Sequence, residues 1–391
     1  MNPLELTLGI MTAVGGFVDI SELVFAAKAG STFGYALIWV FAWSTVGIIV
    51  FSEMSGRVAA VAKQPVFNLM RHRLGLKLGG VALIVNYLTG APYMLMAVAL
   101  TVLLILSIWV LPFKWIERVY GLLGLFMIVF AVALVAIHPP WGKIAGGLVP
   151  QVPHGLSSKE MLTFAYFVVA IISAVMFPYE VYFYSSGGIE EGWSLKDILT
   201  NRVTAIVGMG LGSLLGIAIL SSSAQLFGPA NVDPAIPGSA ALEAAIPFGK
   251  WGLIIALLGM FFAVAGAAVE TCLANAYSIA QFFGWIWGRH KKPWEAPRFT
   301  LTWIALFLLA LAIVLTGIDV MVLVEFAILF SVLVLPLTYL PLLLLSGDKK
   351  YMGEYVNGPV AKVLGWFYFA VITLAAVAAL PLYILTSGGN G

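Results

Sequence analysis

Apolar positions dominate this chain in runs that neither a soluble helix nor a half-buried strand would use. Between charged residues and Gly/Pro breaks they form stretches of about 20 residues, the length that carries an α-helix across a bilayer core. The runs predict spans near 5–30, 33–60, 75–93, 95–113, 119–137, 162–185, 203–226, 251–283, 299–317, 321–345 and 363–386. Only Gly90-Ala91-Pro92 separates the third from the fourth, so 78–112 could also be read as one long helix.

Loop charge separates these two readings. Basic clusters fall at Arg71/Arg73/Lys77, Lys114/Arg118, Arg289/Lys291/Lys292/Arg298 and Lys349/Lys350. Positive loops favour the cytoplasmic side. Eleven spans put all four clusters on one face with the N-terminus inside, whereas ten would send the last three outside. The expectation is therefore an all-α polytopic protein of the plasma (inner) membrane with a cytoplasmic N-terminus.

Composition agrees. Of 391 residues, 62% are hydrophobic and 10% charged, against roughly 25% charged in soluble domains. Mean hydropathy is +1.03. No polar stretch is long enough for a separate soluble domain, so 1–391 reads as a single transmembrane domain. The start, Met1-Asn2-Pro3-Leu4-Glu5, lacks the basic region of a signal peptide, so the first apolar segment is expected to be retained. A single cysteine, Cys272, excludes an internal disulfide and a Cys-x-x-Cys metal site. No phosphate loop, nucleophile–His–acid set or zinc motif is present, so neither enzyme activity nor a bound cofactor is expected. Nothing points to nucleic acid; the expected partners are the bilayer and a small cation, with a monomer as the default.

Two spans resist being plain helices. Span one holds Gly15-Gly16 followed by Asp19-Ile20-Ser21-Glu22. A charge at the bilayer centre costs at least about 2.5–3.5 kcal/mol, so two acids within one turn call for a compensating cation. In span six, Ser173-Ala174-Val175-Met176-Phe177-Pro178-Tyr179-Glu180 carries a proline. Pro178 has no N–H and frees a carbonyl one turn earlier, at Ala174. Interrupted helices at matching places in two halves are the best sequence pointer to a transporter site. Glu22-Leu-Val-Phe25 and Glu180-Val-Tyr-Phe183 echo each other faintly. The repeats would be 1–137 and 160–345, with 363–386 appended.

The ionisable residues within apolar segments are mostly acidic: Asp19, Glu22, Glu53, Glu180, Glu270 and Glu325, against Lys28 and Arg57. That sign favours a cation pathway. Glu53 and Arg57, four apart, read as a structural pair. Glu180, Glu270 with Asn275, and Glu325 are candidates to line the pathway, although hydrogen bonding between helices is the commoner fate of lone polar residues in membranes. The four histidines fall at span ends or in loops. Trp115, Trp251 and Trp294 read as interfacial anchors.

These residues together resemble the Nramp family of divalent-metal transporters. Asp19-Ile20-Ser21-Glu22 stands where that family has Asp-Pro-Gly-Asn, followed by Ala29-Gly30-Ser31-Thr32-Phe33-Gly34-Tyr35. Phe177-Pro178-Tyr179-Glu180 stands where it has Met-Pro-His-Asn. Pro140-Trp141-Gly142-Lys143, Gly147-Leu148-Val149-Pro150, Met352-Gly353-Glu354 with Val356-Asn357, and the Pro336/Pro341 pair complete the likeness.

The resemblance implies an amino-acid-permease-like bundle of inverted repeats, with helices 1 and 6 broken around a metal. It implies a ligand set at Asp19, Glu22, the Ala174 carbonyl and Phe177. The departures matter most. Glu22 adds a charge where the family has Asn. Phe177 replaces a thioether and cannot ligate, and Val334 replaces a Gln on span ten. Carboxylate, carbonyl and water suit hard ions, which resembles the Nramp-related magnesium branch: Mg²⁺, with Mn²⁺ accepted. Tyr179 replaces the histidine of proton-coupled members, so transport without proton coupling is expected. Two other functions stay open: an amino-acid permease of the same fold, disfavoured because two acids repel a substrate carboxylate, and a non-transporting membrane receptor.

Overall fold

The computed structural model describes residues 20–74, 93–110, 113–230, 232–234, 237–318 and 320–389. Span three, the Gly15-Gly16 pair and Asp19 lie outside them. Among the described residues the regular structure is entirely helical. The long helices are α1 (Ile20–Phe33), α2 (Ile38–Ala62), α4 (Tyr93–Val110), α5 (Phe113–Gly124) continued by α6 (Ile128–Ala136), α8 (Ser158–Val175), α9 (Glu180–Glu190), α10 (Ile198–Leu226), α11 (Leu242–Phe283), α12 (Pro297–Leu315), α13 (Val320–Ser346) and α15 (Pro359–Thr386). Short helices α3 (Val66–Leu74), α7 (Trp141–Gly147) and α14 (Lys349–Met352) lie between them.

Eight of the described helical stretches are long and apolar enough to cross a membrane, and Ala97–Val110 is a shorter apolar helix. They match the expected spans closely. Spans one and two run together as Ser21–Ala62, joined by a 3₁₀ turn at Gly34–Leu37. Gly34 takes a positive φ there, which a glycine adopts without steric cost. Span six begins at 158, four residues earlier than the hydrophobic run alone indicates. The cause is a capping box, in which Glu160 N–H donates to Ser157 Oγ and Ser157 N–H donates to Glu160 Oε2. Span eight is preceded by a helical turn from Leu242, with a kink at Gly249.

Helix α1 packs chiefly on α10 and also on α8. Its contact with α8 is aromatic: Phe25 and Phe33 meet Phe167 edge-on with centroids 5.9 and 5.7 Å apart. Its contact with α10 is made of small residues, as membrane interfaces favour. A side chain at Gly30 would strike the Leu220 carbonyl, and Ser223 Oγ donates to the Ala27 carbonyl at 2.5 Å. Trp115, Trp251 and Trp294 are exposed, consistent with anchoring at an interface.

On the face carrying the Lys349/Lys350 loop, the expected Glu53–Arg57 pair is present. Arg57 Nε donates to Glu53 Oε1 at 3.0 Å, while its other nitrogens reach the Tyr355 carbonyl (2.6 Å) and Asn357 Oδ1 (2.8 Å). Asn201 Nδ2 on α10 donates to the Glu53 carbonyl. One buried guanidinium thus ties α2 to the segment joining α14 and α15.

Candidate functional site

Span six is broken as expected. Helix α8 ends at Val175 and α9 starts at Glu180, leaving Met176–Tyr179 between them. The Met176 N–H still reaches the Ile172 carbonyl at 2.9 Å. The rung that would reach the Ala174 carbonyl is missing because Pro178, four residues on, has no N–H. The Ala174 carbonyl therefore has no partner in the helical ladder, and Ala174 is buried.

Phe177 and Tyr179 stack across the proline, with centroids 5.5 Å apart and planes 26° from parallel. The Phe177 carbonyl accepts a hydrogen bond from the Tyr339 hydroxyl of α13 at 3.2 Å. Span ten also meets both flanks of the gap. Ser173 Oγ donates to the Ile328 carbonyl at 3.0 Å, and Tyr182 OH donates to the Thr338 carbonyl at 3.5 Å.

Glu22 lies in the first turn of α1 and is 0% exposed. Its carboxylate is directed at α10 and α2: a Cβ added at Gly216 would fall 2.5 Å from Glu22 Oε1 and 2.7 Å from Phe41 Cε1. Glu180 occupies the corresponding first turn of α9 and is also buried. Both acids of the faint sequence echo are thus buried among the helices. Asp19, the expected first ligand, lies outside the described residues.

The other pathway candidates are more scattered. Glu270 is buried on α11. Asn275, five residues on, returns its Nδ2 to the Thr271 carbonyl of its own helix at 2.9 Å. Glu325 is buried beside the end of α15, where a Cβ at Gly388 would meet its Oε2 at 2.5 Å. Among the described residues no three His, Cys, Asp or Glu side chains gather as a metal cluster.

Four residues that the sequence reading did not single out shape this region: Gly216, Phe41, Tyr339 and Met176. The glycines at 208, 210, 212 and 216 on span seven were the available signal for the first. Met176 is one residue from the position where a thioether would ligate. Its sulfur, however, packs against α2, since a Cβ added at Gly47 would lie 3.0 Å from Met176 Sδ and 2.8 Å from Tyr368 Cδ1. Gly47 is six residues from Phe41, roughly 120° around α2 at 100° per residue, so Met176 and Glu22 meet different faces of that helix.

Comparison with known proteins bears directly on this arrangement. The family model described as "Natural resistance-associated macrophage protein-like" (Nramp) matches residues 9–84 and 77–381. The divalent metal cation transporter MntH of Ralstonia nicotianae is 26% identical over 94% of this chain and 88% of its own length. MntH 1 of Pseudomonas aeruginosa is also 26% identical, over 95% of this chain and 90% of its own. In three dimensions, a manganese transporter of Eremococcus coleocola superposes with a TM-score of 0.68 at 16% identity, covering 100% of this chain and 90% of that one. Fold and sequence thus place the protein among integral membrane transporters rather than enzymes. With the family model spanning nearly its whole length, the chain belongs to the Nramp family.

Proposed function

We propose that this protein carries a divalent cation, Mg²⁺ with Mn²⁺ also accepted, into the cell by alternating access and without proton coupling. Asp19, Glu22 and the Ala174 carbonyl are the proposed ligands, with Phe177 and Tyr179 stacked across the proline of span six. The relatives named above are divalent metal cation transporters, and the fold neighbour is a manganese transporter.

One observation carries the choice of ion: the gap between α8 and α9 presents no sulfur. The Phe177 side chain has no ligating atom, and the Met176 thioether packs on Gly47. What is left is carboxylate and carbonyl oxygen, a donor set that suits Mg²⁺, Ca²⁺ and Mn²⁺ over softer ions. Mg²⁺ gives up its waters reluctantly and is commonly held through one or two carboxylates. A Glu22 carboxylate seated against Gly216 and Phe41 fits a water-bridged contact with such an ion. Tyr179 in place of a histidine offers no group that titrates near neutral pH. Membrane potential alone supplies about 2.3 kcal/mol per charge per 100 mV, hence about twice that for a divalent ion.

Uptake by proteoliposomes under an inside-negative potential, with internal pH recorded, tests the proposal. Mg²⁺ and Mn²⁺ should enter without a pH change. Acidification that tracks entry would remove the uncoupled mechanism, and no entry of either ion would remove the carrier.

A further inference from the structure

The break in span six needs a support that its own helix cannot give, because an unwound segment inside a membrane bundle must have its backbone groups satisfied from neighbouring elements. Helix α13 meets both flanks by accepting the Ser173 and Tyr182 hydroxyls at the Ile328 and Thr338 carbonyls, and at the gap itself Tyr339 OH donates to a backbone carbonyl, that of Phe177. Of the three contacts, Tyr339 is the one that reaches a residue of the gap. Its ring is 0% exposed and packs on Phe51 of α2 with centroids 4.3 Å apart. The phenol is therefore oriented from behind by α2 while its hydroxyl holds the Phe177 carbonyl.

We infer that Tyr339 is a positioning residue for the transported ion: by taking the Phe177 carbonyl it sets the course of the backbone across the gap and leaves the Ala174 carbonyl to face the cation. This rests on the cation-carrier reading given above. The chemistry follows from the Ala174 carbonyl in the last turn of α8 and the Phe177 carbonyl in the gap. Two free carbonyls could rotate to collapse on a smaller ion or spread for a larger one. With one held by a hydroxyl that is itself wedged between α13 and α2, the spacing of the remaining donor is fixed from outside the site. Tyr339 touches no ion in this arrangement. Its effect is on the affinity for, and choice between, ions of different radius and hydration, and not on the rate at which a bound ion crosses.

Tyr339→Phe tests this, since it removes one oxygen and keeps the ring on Phe51. In proteoliposomes the variant is expected to raise KM for Mg²⁺ about three- to tenfold, the effect of losing one hydrogen bond. The maximal rate should stay within about twofold of the parent and the preference between Mg²⁺ and Mn²⁺ should narrow. Phe51→Leu, which keeps the hydroxyl but loosens the ring, should shift KM the same way by less; it carries the test if Tyr339→Phe fails to reach the membrane. An unchanged KM and ion preference would overturn the inference. So would a loss of maximal rate at constant KM in step with a lower Tm, which is the mark of a merely structural hydroxyl. The parent protein serves as the separate control: if it moves neither ion, the carrier reading fails and not the role of Tyr339 alone.

Discussion

Oxygen Oε1 of Glu22 occupies the space into which a methyl group on Gly216 would project, 2.5 Å from that methyl position. The carboxylate and the glycine are a matched pair: α10 has a hollow where α1 carries its buried acid. Gly216→Ala should therefore displace Glu22 and crowd Phe41. The helix itself would gain slightly, by up to about 1 kcal/mol of propensity, whereas overpacking costs about 1–3 kcal/mol. The expected result is a fall of roughly tenfold in Mg²⁺ uptake with little change in expression, measured by initial rates in proteoliposomes.

Removing the acid should do more. Glu22→Ala takes away a proposed ligand and opens a void beside Phe41, and uptake is expected to drop sharply. Glu22→Gln keeps the shape and deletes the charge. A similarly large loss in Glu22→Gln would assign the effect to charge; near-parental uptake by both variants would take Glu22 out of the site.

Phe177→Met reintroduces a thioether at the gap in span six. Softer ligands favour transition metals, so Mn²⁺ uptake should rise relative to Mg²⁺ in competition assays. A preference that does not move would separate ion choice from this position.

Arg57→Ala probes stability rather than transport. It would strip Glu53 of its main partner and leave the Tyr355 carbonyl and Asn357 Oδ1 without their donor. Breaking a buried pair from one side costs about 3–5 kcal/mol. Arg202, 3.3 Å from Glu53 Oε1, limits the loss to the lower part of that range. A clear fall in Tm in detergent is expected, and Arg57→Lys, which keeps charge but not the planar fork, should fall between.

Much of this molecule was legible in one dimension. In a bilayer a spanning segment must be mostly apolar over about 20 residues, and its backbone groups must be satisfied within the protein, so span positions follow from composition, and each expected span within the described residues is present as a helix. Pro178 likewise marks the rung that span six loses, although Pro336 and Pro341 sit inside the continuous helix α13, so the opening of that lost rung into a gap depends on packing. The Glu53–Arg57 pair was legible for a similar reason: on a helix, residues four apart are neighbours.

What the chain order could not decide is which way a side chain turns once the helices meet. Glu22 faces α10 and Met176 turns its sulfur to Gly47 because each depends on partners on another helix. Tyr339 is the clearest case. It lies 162 residues from Phe177, and no local pattern marks a hydroxyl that will satisfy a backbone carbonyl in the gap of a distant helix. Local chemistry determined where the helices run and where span six lacks a backbone donor. Tertiary packing alone determined how that break is held.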